Sequence, residues 1–78
     1  MNGIFPSRET VARLRSRYPA GSRVELVSMN DPYTTLKPGD CGTVEFVDDT
    51  GSIFVKWDIG SGLAVIYGVD SIRRISEN

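Results

Sequence analysis

Two hydrophobic periods divide this chain. Over residues 8–18, "RETVARLRSRY", the apolar residues Val11, Leu14 and Tyr18 stand at i, i+3 and i+7, which predicts one narrow stripe along a helix. Most of the remaining face is arginine. Ser7 offers a hydroxyl N-cap after Pro6, and Pro19 with "PAG" ends the segment. The pattern therefore predicts an irregular leader over 1–6 and a helix over 7–18. A helix of about three turns is marginal alone and needs a body to dock on. From Ser22 the period becomes two. "SRVELVSM" (22–29) reads as a strand with Val24 and Leu26 on one face. "NDPYTTLKPGD" (30–40) holds two prolines and no period, so it reads as a long loop. "CGTVEFV" (41–47) is a second strand with Gly42, Val44 and Phe46 sharing a face, and "SIFVKWD" (52–58) a third with Ile53, Val55 and Trp57 together. "LAVIYG" (63–68) reads as a fourth strand, "VDSI" (69–72) as one tight helical turn, and "RRIS" (73–76) as a closing strand.

Five short strands, a long loop after the first, tight hairpins in the middle and a helical turn before the last predict a mainly β fold. The expected form is a small five-stranded SH3-like barrel over 22–76, carrying one N-terminal α-helix. Partial closure is how such a barrel protects its sheet edges. With 78 residues the chain makes one domain, and its hydrophobic share of 40% is adequate for a core. Trp57 shares a face with Ile53 and Val55 and is expected in that core. Phe54, on the opposite face, is expected beneath the helix stripe.

Composition narrows the chemistry. There is no histidine, which removes the commonest general base and metal ligand, and Cys41 stands alone, so neither a disulfide within the chain nor a zinc site is expected. No cofactor or metal is expected, and no enzymatic activity. No apolar run approaches the length of a membrane span, and the first residues lack the pattern of a signal peptide, so the expected location is the cytoplasm of a bacterial host. The net charge of −1 hides an asymmetry: residues 1–23 carry +4, residues 24–72 carry −6 and residues 73–78 carry +1. A basic leader thus sits on an acidic body. The helix arginines either dock on that body, remain solvated, or meet a polyanion.

One stretch spells a catalyst. Asp49-Thr50-Gly51-Ser52 matches the active-site letters of aspartic proteases. Such an enzyme needs two carboxylates sharing a proton, each held by a Thr-Gly loop. The interval from Asp49 to Gly68 is too short for the flap and crossover strands, and Asp48 stands where an apolar residue is needed. Residues 48–51 read better as a hairpin turn, with aspartate side chains bonding their own backbone and glycine at positive φ. Asp58 is expected to accept backbone N–H groups from the turn at Gly60 to Gly62.

Several runs carry a family resemblance. "KPGDCGTVEFVDD" resembles the Pro-Gly and Gly-Thr-Val portion of KOW-type barrels in translation and transcription proteins. "GTVEFVDDTGSIFVKWDIGS" with "YGVDSIRRI" is similar to the Mib/Herc2 domain of ubiquitin ligases. It is more similar still to an uncharacterised small domain family of Firmicutes, their phages and their conjugative elements. The shared pattern is Met29 to Pro32, Pro38-Gly39, Gly42 to Val44, Val47 to Asp49, Trp57 to Leu63, and Gly68 to Asp70. The resemblance covers about residues 22–75 and implies a fold without implying an activity. It points to a non-catalytic interaction module of phage or mobile-element origin. In SH3-like barrels the first long loop borders the ligand groove, so the candidate contacts for a protein segment are Tyr33 and Leu36 in loop 30–40, with Tyr67 completing an aromatic wall. Two alternatives remain: KOW-like nucleic-acid binding through Arg8, Arg13, Arg15 and Arg17, and a phage counter-defence protein that binds a host factor or a small signal molecule.

Overall fold

A computed structural model describes residues 6–75. One helix precedes four antiparallel strands: α1 (Arg8–Arg17), β1 (Arg23–Ser28), β2 (Cys41–Val47), β3 (Ile53–Trp57) and β4 (Ser71–Arg74). The strands form one open sheet in the order β3-β2-β1-β4. The fold is mainly β, with four strands where five are expected. Of the leader over 1–6 only Pro6 falls among the described residues, as the end of the expected closing strand at Ser76 does not.

The helix begins where the chemistry allows. Ser7 Oγ accepts the Thr10 N–H at 3.2 Å, and Glu9 in the first turn opposes the positive end of the helix dipole. The stripe of Val11 and Tyr18 is buried and Leu14 packs against the core. The core joins this stripe to Val24, Leu26, Val44, Ile53, Val55 and Trp57. Only the face of the sheet that alternates inward meets the helix.

Two departures from strict alternation matter. β2 and β3 shift register between Val44 and Phe46, so Glu45 is an extra residue in the ladder. The bulge turns Phe46 outward, to 51% exposure, and Val47 inward, to 6%. Phe46 therefore does not share the face of Gly42 and Val44. It stacks on Phe54 across the strands, with ring centroids 4.6 Å apart. Phe54 is covered by that ring rather than by the helix.

The second departure is the missing strand over 63–68. Its pairing reduces to a single bridge, Ile53 with Val65, closed by N–H to carbonyl bonds of 2.9 and 2.8 Å. Side chains take the neighbouring backbone groups. The Trp57 indole N–H donates to the Leu63 carbonyl at 2.8 Å, and the Asp70 carboxylate accepts the Ile66 N–H at 3.0 Å. Backbone groups engaged by side chains are lost to a ladder. The tight turn follows at once, with Val69 and Asp70 N–H both bonding the Ile66 carbonyl. It thus spans 66–70, about three residues earlier than the expected 69–72, and the last strand starts at Ser71.

Candidate functional site

The four helix arginines do not form one surface. Arg15 is committed to the sheet: its Nε–H donates to the Val47 carbonyl at 3.0 Å, and its Nη2 pairs with Asp49 at 2.8 Å. Arg8 lines the same side of the helix as Arg15, in a groove that also includes Pro6, Val11 and Asp49. Arg13 and Arg17 line the other side. Arg13 donates to the Thr10 hydroxyl at 3.3 Å, while the Arg17 guanidinium lies 5.7 Å from the Tyr18 ring centroid and its Nε–H reaches Tyr18 Oη at 3.3 Å. Both border a groove of about 470 Å³ whose far wall is Tyr67. The structure thus joins two arginines from the nucleic-acid expectation to an aromatic from the protein-binding one.

Loop 30–40 is folded back on itself. Asp31 Oδ1 accepts the Tyr33 N–H at 2.9 Å, Thr34 Oγ1 the Leu36 N–H at 3.1 Å, and Asp40 Oδ2 the Lys37 N–H at 2.8 Å. Gly39 and Asp40 close on Leu26 through two backbone bonds of 2.8 Å. This folding buries Leu36 to 6% and carries Tyr33 outward to 93% exposure. Leu36 is therefore a core residue and not a surface contact. Nor do Tyr33 and Tyr67 face one cavity. The groove that the start of the loop borders, about 230 Å³, is lined by Met29, Asn30, Asp31 and, across from them, Leu63, Ala64, Ile66, Val69 and Asp70.

Asp70 organises that groove. Its Oδ1 accepts the Asn30 N–H at 2.8 Å while its Oδ2 accepts the Ile66 N–H. One carboxylate therefore ties the start of the long loop to the 66–70 turn. Beside it, Ile66 and Val69 remain 44% and 52% exposed. Sequence reasoning assigns Asp70 no role, although the Gly68-Val69-Asp70 run that carries part of the resemblance marks its place. Contacts 40 residues apart leave no periodic trace.

The protease letters sit at the tip of the β2–β3 hairpin. Asp48 Oδ1 accepts from the Thr50 hydroxyl at 2.7 Å and from the backbone N–H groups of Thr50 and Ser52 at 2.9 and 3.0 Å, and Gly51 takes φ 84°. Asp49, its side chain 96% exposed, faces Arg15. Asp58 does not cap the turn at Gly60 to Gly62; both its oxygens bond the Arg23 guanidinium, at 2.9 and 2.7 Å. The Thr50 hydroxyl, aided by the backbone donors, holds the Asp48 carboxyl below the ordinary aspartate value, and Arg23 does the same for Asp58. Both groups thus contribute stability that is present above the unfolded pKa of about 3.9 and is lost as pH falls through the lower folded-state values. In thermal melts, the Tm gap between the wild type and Asp48→Asn/Asp58→Asn should be widest near neutral pH, begin to shrink at about pH 4 and close as pH falls through the lower folded-state values. A gap that stays constant into acid would contradict this account.

Among the described residues, no group of cysteine and carboxylate side chains is placed to hold a metal ion, and no helix is long and apolar enough to cross a membrane. No curated protein matches the chain. The model of a family described as a domain of unknown function, DUF4314, matches residues 7–75, and the chain belongs to that family.

Proposed function

We propose that this member of the family is a non-catalytic interaction module that binds a protein segment in the groove between the start of loop 30–40 and the 66–70 turn. The observation that carries the reading is the double acceptance by Asp70, which holds two distant segments together and keeps the exposed Ile66 and Val69 beside them. Apolar side chains held at a groove by hydrogen-bonded scaffolding are what a binding site needs, since ordering costs are met on folding and not on association. Four strands plus the Val65 bridge are compatible with the SH3-like expectation, in which the first long loop borders the ligand, and this supports the same reading. The family resemblance supports an origin in phages or mobile elements. Nucleic-acid binding through all four helix arginines has less support, because Arg15 is engaged by Val47 and Asp49.

Selection of a random peptide library on the immobilised protein tests the proposal. Peptides should be enriched, and Ile66→Ser/Val69→Ser should weaken their binding about tenfold or more, in line with the loss of two apolar contacts. Both side chains are about half exposed, so the variant's melting curve should stay close to the wild type. Failure to enrich any peptide, or equal binding by the variant, would refute the proposal.

A further inference from the structure

We infer that the groove between α1 and the 66–70 turn is an anion subsite that selects acidic residues in the bound protein segment. This rests on the proposed function, because the two grooves share one wall: Ile66 and Val69 face the first and Tyr67 the second. The subsite is lined by Thr10, Arg13, Leu14, Ser16, Arg17 and Tyr67. Arg13 and Arg17 stand one helical turn apart, about 6 Å along the axis. Arg74 on β4, outside the lining, donates to the Arg17 carbonyl at 3.3 Å and adds positive charge at the end of the helix.

The charges of this cluster are available in a way those of Arg15, Arg23 and Arg73 are not. Arg15, Arg23 and Arg73 are paired with Asp49, Asp58 and Glu25. Among the described residues, Arg13, Arg17 and Arg74 have no carboxylate partner. Glu9, one turn before Arg13, is the only acid of the helix, and it forms no ion pair with Arg13 among the described residues. The Arg13 and Arg17 guanidiniums with hydroxyls at Thr10, Ser16 and Tyr67 form a set of donors suited to carboxylates. Leu14 and the Tyr67 ring, 47% exposed as a residue, supply an apolar floor.

The choice of an acidic protein segment over a nucleic acid follows from the charge around the groove. Residues 24–72 carry −6, so a long polyanion leaving this local basic patch meets a repelling body. A short run of carboxylates can sit within the patch. Adjacent apolar residues of the same segment then reach Ile66 and Val69.

Fluorescence anisotropy with four proteins and three probes decides the matter. The proteins are the wild type, Arg13→Gln/Arg17→Gln, Glu9→Gln and Ile66→Ser/Val69→Ser. The probes are a short fluorescein-labelled peptide with a pair of leucines followed by a run of aspartates, its asparagine counterpart, and labelled oligothymidylate. The wild type should bind the aspartate peptide about tenfold more tightly than the asparagine peptide, the scale of two partly exposed charge pairs. That preference should vanish in Arg13→Gln/Arg17→Gln, rise in Glu9→Gln, and shrink between about 50 and about 500 mM salt. Equal binding of both peptides, lost in Ile66→Ser/Val69→Ser, would overturn the anion subsite and leave the proposed function standing. Absence of binding by either peptide would overturn the subsite, and the library selection then judges the proposed function alone. Tighter binding of oligothymidylate than of the aspartate peptide would overturn the subsite as a protein site and make it a nucleic-acid one.

Discussion

Replacing Trp57 by alanine should leave the protein unfolded at room temperature. Trp57 is 1% exposed and is the largest fully buried side chain. Its truncation removes about 3–5 kcal/mol of burial and packing. It also strips the part-buried Leu63 carbonyl of its indole donor, and the loss of such a hydrogen bond costs a further ~1 kcal/mol. Domains as a class hold about 5–15 kcal/mol in total, and one this small lies toward the lower end. Because Trp57 is the only tryptophan, circular dichroism must report the state of the variant. Far-ultraviolet spectra without a cooperative urea transition are the expected result; a transition near the wild-type midpoint would refute it. Trp57→Phe separates the two contributions. It keeps most of the ring volume and loses the N–H, so it should retain a cooperative transition with a midpoint below that of the wild type.

The second large effect is at Gly42, directly opposite Trp57 in the β2–β3 register. A Cβ there would stand 2.6 Å from Val55 Cγ1, 2.8 Å from the Lys56 carbonyl oxygen and 2.9 Å from Trp57 Cα. Two of those atoms are backbone, so no side-chain rotation relieves the clash. Gly42→Ala should therefore cost about 3 kcal/mol or more, the upper range for overpacking, since β3 must move away from β2. The control is Gly62→Ala, where an added Cβ meets nothing within 4 Å. That variant should melt close to the wild type. Urea midpoints for the pair provide the test, and similar midpoints would show that the sheet yields more easily than its packing implies.

These two sites also mark how far a linear reading reaches. Trp57 is recognisable as core because it alternates with Ile53 and Val55. The glycine opposite it is recognisable only as a strand residue, because what excludes its Cβ belongs to another strand. The same divide runs through the candidate site. Tyr33, Tyr67 and the helix arginines are visible as residues that need an explanation. Their grouping is not: Arg15 turns toward the hairpin, Arg13 and Arg17 line one groove with Tyr67, Leu36 enters the core, and Arg74 on the last strand bonds the Arg17 carbonyl. Asp70 is visible only as one letter of a Gly-Val-Asp run.

By itself the sequence determined a short capped helix with one apolar stripe, a change to two-residue alternation at Ser22, the hairpin at Asp48 to Gly51, and a mainly β body. Each of these rests on local physics: side-chain spacing, capping hydroxyls, and turn residues that bond their own backbone or accept positive φ. Tertiary structure alone decided the count of strands, the outward turn of Phe46 and the composition of the two grooves. Those outcomes depend on which partner reaches a backbone group first. The Trp57 indole and the Asp70 carboxylate reach Leu63 and Ile66 before a neighbouring strand can, so the expected fourth strand contracts to one bridge, and its freed residues become the walls between the two grooves.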